Sequence, residues 1–172
     1  GVRTVQDEVV KEINAHGIAV FEVRKTGSAF QVVRDSSFNR RVTPNTLMDL
    51  AGPAAGSAFM RTQNSPTGLT SNGTINNCAT GHTPWGTFLT CEENWAFYFR
   101  RAAGDDTTRG GATARSVRAL QRYGITQGAA GSYNWATVVP SNPADLTFRR
   151  WDATQTGTSV FGIDDFRNEP NT

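Results

Sequence analysis

The chain has 172 residues, 37% of them hydrophobic and 17 of them glycine, which suits one ordinary domain with its own core or a piece of a larger one. Its 17 basic and 15 acidic residues leave a formal net charge of +2 at a charged fraction of 19%, too balanced and too sparse for the dense basic patch of a nucleic-acid binder. No apolar run reaches the roughly 18 residues of a membrane-spanning helix. Residues 1–12 carry charges in place of the apolar segment of a signal peptide, so any export signal is expected upstream.

From the first residues, Thr4 to Asp7 matches a capping box, and Val5, Val9 and Ile13 recur every four residues up to His16-Gly17. This predicts a helix over 4–16, with His16 at its C-terminal end, favourable to the dipole, and a ligand role for it secondary. Ile18 to Val23 reads as a strand, Thr26-Gly27-Ser28 as a turn, and Phe30 to Val33 as the hairpin partner. Ser36 to Thr46 is polar. Arg40 and Arg41 within it are candidates for a bidentate clamp on a phosphate or carboxylate, with solvated surface charge as the default. The small-residue loop Ala51 to Gly56 lacks the helix and lysine of a phosphate-binding loop, which rules that reading out. Residues 61–73 read as a turn-rich connection.

The stretch 74–95, TINNCATGHTPWGTFLTCEENW, gathers the most special-purpose residues in the chain. It holds both cysteines (Cys78, Cys91), His82, the adjacent carboxylates Glu92 and Glu93, and Asn76, Asn77 and Asn94. It reads as a strand, a polar loop, a Thr83-to-Gly86 turn and a second strand from Gly86 to Cys91 that delivers acids at its end. Soft sulfur and hard oxygen donors converging on one loop pair suit a metal site. The two cysteines leave the compartment open, since they can pair as a disulfide or act as a buried thiol and a ligand.

Beyond this stretch, Trp95, Phe97, Tyr98 and Phe99 read as core, and the Gly-, Asp- and Thr-rich residues 102–111 as an exposed or mobile loop. Ala112 to Tyr123 predicts a short helix with Ala114, Val117 and Leu120 inward and Gly124 as its stop. Arg115, Arg118 and Arg122 then form a basic stripe, solvated by default and secondarily able to steer anions. Tyr133–Val139 and Leu146–Trp151 read as short strands, and 162–172 as a polar end. Many short strands with Gly, Asn and Pro turns argue for a mainly β architecture, sandwich or propeller, with one or two accessory helices; no internal repeat is visible.

The run NNCATGHTPWGTFLTCEENW resembles the signature of the PhoX-type bacterial alkaline phosphatases, in which a loop like NCAGG-x-TPWGT-x-LTCEEN is typical. The segments HGIAVFEVRK, QVVRDSSFNRRVTPNT and LAGPAAG before it, and RYGI, SYNW and NEPN after it, follow the family's order. The resemblance covers most of the chain and is densest over 16–99; residues 102–118 and 140–165 match nothing in it and read as insertions. It implies a six-bladed β-propeller exported to the periplasm, with an iron(III) and calcium cluster bridged by an oxo group that acts as nucleophile on phosphomonoesters. Residues 1–172 would then be one partial domain, the amino-terminal part of that propeller, inactive as an isolated piece and completed by the remaining propeller segments.

Carried over by position, Cys78 is the thiolate ligand at iron and Glu93 a carboxylate ligand, with Glu92 and Asn94 as neighbouring candidates and Asn77 as a group supporting the ligands. Glu93 ranks above Glu92 because side chains alternate along a strand. Thr80 and His82 depart from the small residues of the family loop, and the chain stops before the acidic residues that follow NEPN. The competing reading is a non-catalytic β-propeller fragment or binding module with a Cys78–Cys91 disulfide.

Overall fold

Helix α1 (Gln6–Ala15) forms because Val9 and Ile13, one turn apart, are both fully buried and Asp7 and Glu8 sit at its positive end. It starts later than the capping box suggests. Val5 is the N-cap and no side chain caps it; Arg3 instead reaches Glu12 at 2.8 Å, and Trp135 Nε1 donates to the other Glu12 oxygen at 2.8 Å. The helix stops at His16, where Gly17 takes a φ of +98°, and a Cβ there would meet the Val42 carbonyl oxygen at 2.0 Å.

The computed structural model describes residues 2–156 and 166–168. Within them the strands pair as four antiparallel ribbons of two. They are β1 (Ile18–Val20) with β4 (Arg40–Val42), β2 (Val23–Thr26) with β3 (Ala29–Val32), β5 (Thr46–Asp49) with β6 (Thr70–Gly73), and β7 (Asn77–His82) with β8 (Phe88–Glu92). The chain is thus mainly β with few helices.

The expected strand 18–23 is split. Asn39 Oδ1 accepts the Glu22 N–H at 2.9 Å while Asn39 Nδ2 donates to the carbonyls of Val33 and Arg34, so a side chain replaces the ladder at the break. The β2–β3 turn falls at Gly27-Ser28 as expected. Residues 70–73, read as connection, are a strand instead: they pair with β5 from Thr46 opposite Gly73 to Asp49 opposite Thr70.

The core is aromatic. Val9, Ile13, Ile75, Tyr98, Trp135, Val138, Phe148 and Trp151 form one cluster, with the Tyr98–Trp135 and Trp135–Trp151 ring centroids each 4.9 Å apart. Leu120, Ile125 and Ala153 form a second cluster that touches Trp95 and Phe99, residues also packed on the first. The segments expected as strands at 133–139 and 146–151 are 3-10 turns, Trp135–Thr137 and Arg149–Trp151. Asn134 enters the first in left-handed backbone and accepts the Thr137 hydroxyl at 2.7 Å, which turns Trp135 inward.

Residues 102–111 are built around a buried ion cluster, where an exposed loop was expected. Their helical turn α2 (Asp105–Thr108) carries Asp105 between Arg101 and Arg109, the two arginines at 0% exposure. Helix α3 (Arg115–Arg122) buries Val117 and Leu120 and ends at left-handed Gly124. Its Arg115, Arg118 and Arg122 are exposed, and the Arg115 guanidinium lies 5.3 Å over the Phe59 ring. No helix among the described residues is long and apolar enough to cross a membrane. The NEPN run beyond Asn168, the polar end apart from the 3-10 turn Phe166–Asn168, and the 157–165 part of the expected insertion lie outside the described residues.

Candidate metal centre

The β7–β8 hairpin turns at Thr83 to Thr87. Thr83 Oγ1 accepts the Thr87 N–H at 2.9 Å, and the Gly86 N–H closes on the Thr83 carbonyl at 3.0 Å. Going back toward its base, the register runs from His82 opposite Phe88 to Ala79 opposite Cys91, then slips so that Asn77 faces Glu92. Cys78 is the extra residue at that β-bulge, and the bulge re-aims its side chain. The two cysteines are therefore out of step. Both are free and exposed, and Cys91 sits opposite Ala79, against the disulfide alternative.

The bulge sets Cys78 at the end of the hairpin where Glu93 follows β8. A hydrogen bond to Glu93, then that carboxylate's negative charge, push the thiol's pKa up from its ordinary value. A cation at this point would reverse the effect, because a metal draws the proton off a coordinating thiol. Cys78 and Glu93 are both exposed, so the pair can face a ligand.

Glu92 is engaged elsewhere. Its Oε1 accepts the Thr74 hydroxyl and the Ile75 N–H, each at 2.7 Å, and the residue lines a cavity of about 160 Å³ with Ile75, Trp95, Phe99, Arg150 and Trp151. Asn77 Nδ2 donates to Thr74 Oγ1 at 2.9 Å and Thr90 Oγ1 at 3.0 Å, joining the two strands beside the bulge. Asn77 Oδ1 is buried with no hydrogen-bond partner among the described residues. Asn94 follows Glu93 in left-handed backbone, exposed, at the start of the 3-10 turn Trp95–Tyr98.

Arg40 and Arg41 lie on β4. Arg41 Nη2 donates to the carbonyls of Asn14, Ala15 and His16 at 3.1, 3.2 and 2.8 Å, so it closes the C-terminus of α1. Arg40 Nη1 donates to the Phe38 carbonyl at 3.2 Å. His16, half-buried, packs its ring edge-on to Tyr98 and Trp135, and burial pulls its pKa down, against the charged form that the helix dipole would favour. Thr74, Asn76 and Tyr98 also belong to the neighbourhood; from sequence Asn76 was named in the motif without a role, Tyr98 was read as core, and Thr74 was given no part. The Asn76-Asn77 pair was the available signal, since asparagine is the non-glycine residue that best tolerates left-handed backbone.

Among the described residues no three His, Cys, Asp or Glu side chains converge as a metal-binding group. The donors present still fit one wall of a mixed site, a soft thiol beside a hard carboxylate.

No curated protein matches the chain. Among solved structures it is similar to Pseudomonas fluorescens PhoX in complex with vanadate, a transition state analogue, at 30% identity and a TM-score of 0.63, over 89% of this chain. The match covers 25% of that protein, so the chain spans about a quarter of the length of its solved relative. The family model for alkaline phosphatase PhoX matches residues 1–157. By that match over most of its length, the chain belongs to the alkaline phosphatase PhoX family.

Proposed function

We propose that this chain is the amino-terminal part of a metal-dependent phosphatase that hydrolyses phosphomonoesters, and that it supplies one wall of an iron(III) and calcium cluster. The observation that carries the reading is the β7 bulge, which leaves Cys78 exposed at the end of the hairpin where the exposed Glu93 follows β8, in a chain of the PhoX family. In this reading Cys78, as thiolate, holds iron and Glu93 holds the cluster beside it. Glu92 keeps the base of the hairpin in shape through Thr74 and Ile75, and Asn77 locks the two strands next to the bulge. Asn94 and Glu92 remain the neighbouring donors. Arg40 and Arg41 are at most a remote anionic clamp, since Arg41 is occupied at the end of α1. Bound cations supply neutralisation of the phosphate dianion, its alignment for in-line attack, and an activated attacking oxygen.

The rest of the cluster, and of the six-bladed propeller that would hold it, comes from polypeptide beyond this quarter of the family length, in a periplasmic or secreted protein. The 172-residue chain alone then releases no phosphate from an aryl phosphate. Elemental analysis of the complete polypeptide tests the reading. Iron and calcium are expected in the parent, with iron lost in Cys78→Ser. Full iron retained in Cys78→Ser, or a metal-free parent without phosphatase activity, overturns it.

A further inference from the structure

Asn76 stands two residues before Cys78 with a φ of +49°. Its carbonyl accepts the Glu93 N–H at 3.1 Å and its Nδ2 donates to the Glu93 carbonyl at 2.6 Å. One residue therefore holds both polar groups of the Glu93 backbone. The remaining atom of its amide is used as well: Oδ1 accepts the Tyr98 hydroxyl at 3.4 Å. Tyr98 is 6% exposed and its ring packs on Trp135, so the link ends in the rigid core.

From this geometry we infer that Asn76 is the positioning residue of the Cys78–Glu93 pair, fixing Glu93 against the bulge and anchoring it to the core through Tyr98. The residue type follows from three demands. Left-handed backbone admits Gly, Asn and Asp with little strain. A donor to the Glu93 carbonyl excludes Gly and ionised Asp. An acceptor for the Tyr98 hydroxyl is met by the same amide. Asparagine alone meets all three. The inference rests on the proposed ligand role of Cys78 and Glu93 and adds the group that sets their separation.

The test is a cadmium(II) titration of the whole chain in a Cys91→Ser background, followed by the thiolate-to-metal charge-transfer absorption. Cadmium is a soft probe that seeks the thiolate. Cys78→Ser should abolish the signal. Asn76→Gly keeps the backbone unstrained and removes only the amide; it should weaken cadmium binding by about 10–100-fold, the usual effect of deleting a group that supports a ligand. Near-UV circular dichroism of the aromatic core should not change. Tyr98→Phe, which deletes one hydroxyl and keeps the ring, should give a smaller loss in the same direction.

If Cys78→Ser abolishes binding while Asn76→Gly and Tyr98→Phe both bind like the parent, the positioning role is wrong and the ligand assignment stands. If Cys78→Ser binds like the parent, the ligand assignment falls and takes this inference with it. Should Asn76→Gly lose its near-UV signal, Tyr98→Phe decides: weakened binding supports the role and parental binding overturns it.

Discussion

The Asp105 carboxylate accepts a hydrogen bond from Arg109 Nε at 2.6 Å, and both side chains are fully shielded from water. The same oxygen takes Arg101 Nε at 2.5 Å, and the other takes the Gln155 N–H at 2.8 Å. Burial alone would raise the Asp105 pKa, but the hydrogen bonds from Arg109, Gln155 and Arg101 outweigh it and hold the carboxyl below its ordinary value. Asp105→Ala removes the buried carboxylate that Arg101 and Arg109 share, while Arg101 keeps Asp106, and should cost about 3–5 kcal/mol in urea unfolding. Because the folded pKa is depressed, the stabilisation is present above the ordinary aspartate pKa and is lost as pH falls through the folded value. A loss no larger than that of an exposed substitution would show that the cluster is dispensable.

Glu92 and Glu93 should separate by measurement. Glu92→Ala strips the acceptor from the Ile75 N–H and the Thr74 hydroxyl, both on buried residues, and should cost about 1–3 kcal/mol. Glu93→Ala, at an exposed side chain, should stay within about 0.5 kcal/mol. Metal retention by the complete polypeptide should follow the reverse order, falling more in Glu93→Gln than in Glu92→Gln or in Glu22→Gln at the break between β1 and β2. Identical metal contents in all three would remove Glu93 from the site.

His16 gives a second pH dependence, nearer neutrality. Burial lowers its pKa, so below about 6.5 the unfolded chain takes up a proton that the folded ring resists. Thermal stability should be full above that pH and decline as pH falls from it toward the folded pKa. His16→Phe keeps an aromatic edge toward Tyr98 and Trp135 and should flatten this step. An unchanged step in the variant assigns it to another group.

Gly17→Ala should be among the most damaging small changes. Left-handed strain and a Cβ 2.0 Å from the Val42 carbonyl oxygen act together where β1 meets β4, for roughly 2–4 kcal/mol. Gly27→Ala, with nothing within 4 Å of its Cβ, bears the backbone strain alone and should cost less by the same unfolding assay. Equal losses would mean that the Val42 contact relaxes freely.

Hairpins with local turn chemistry were legible. Gly27-Ser28 and Thr83 to Gly86 each mark a turn between strands, and the pairings β2–β3 and β7–β8 follow from them. The β5–β6 ribbon was not, because Thr70–Gly73 is short and polar and its partner lies a long loop away. Tyr133–Val139 has strand-forming residues, yet left-handed Asn134 and the demand of the core for Trp135 make it a turn. Residues 102–111 have the composition of a solvated loop. The signal overlooked there was the spacing of Arg101, Asp105 and Arg109, each four residues from the next, with Asp105 opening α2, Arg109 capping its end and Arg101 in the segment just before it. At the candidate site the residue types were readable from the motif. The partners of Glu92 were not, since they depend on Thr74 and Ile75, which precede β7, meeting the carboxylate at the end of β8.

The β7–β8 ribbon is solvated along nearly its whole length, with Trp85, Phe88 and Leu89 in water. A two-stranded ribbon is marginal by itself, so opening it takes least free energy at the exposed Trp85 tip and most at the base, where Asn76, Asn77 and Glu92 hold the chain around Cys78. An ion or polypeptide that engages only the closed form shifts that equilibrium by mass action, stabilising it by RT ln(1 + [L]/Kd). Its measured affinity is accordingly net of the entropy of ordering the ribbon. Occupancy and order become a single linked quantity, and a substitution that merely stiffens the hairpin should tighten binding without touching a ligand.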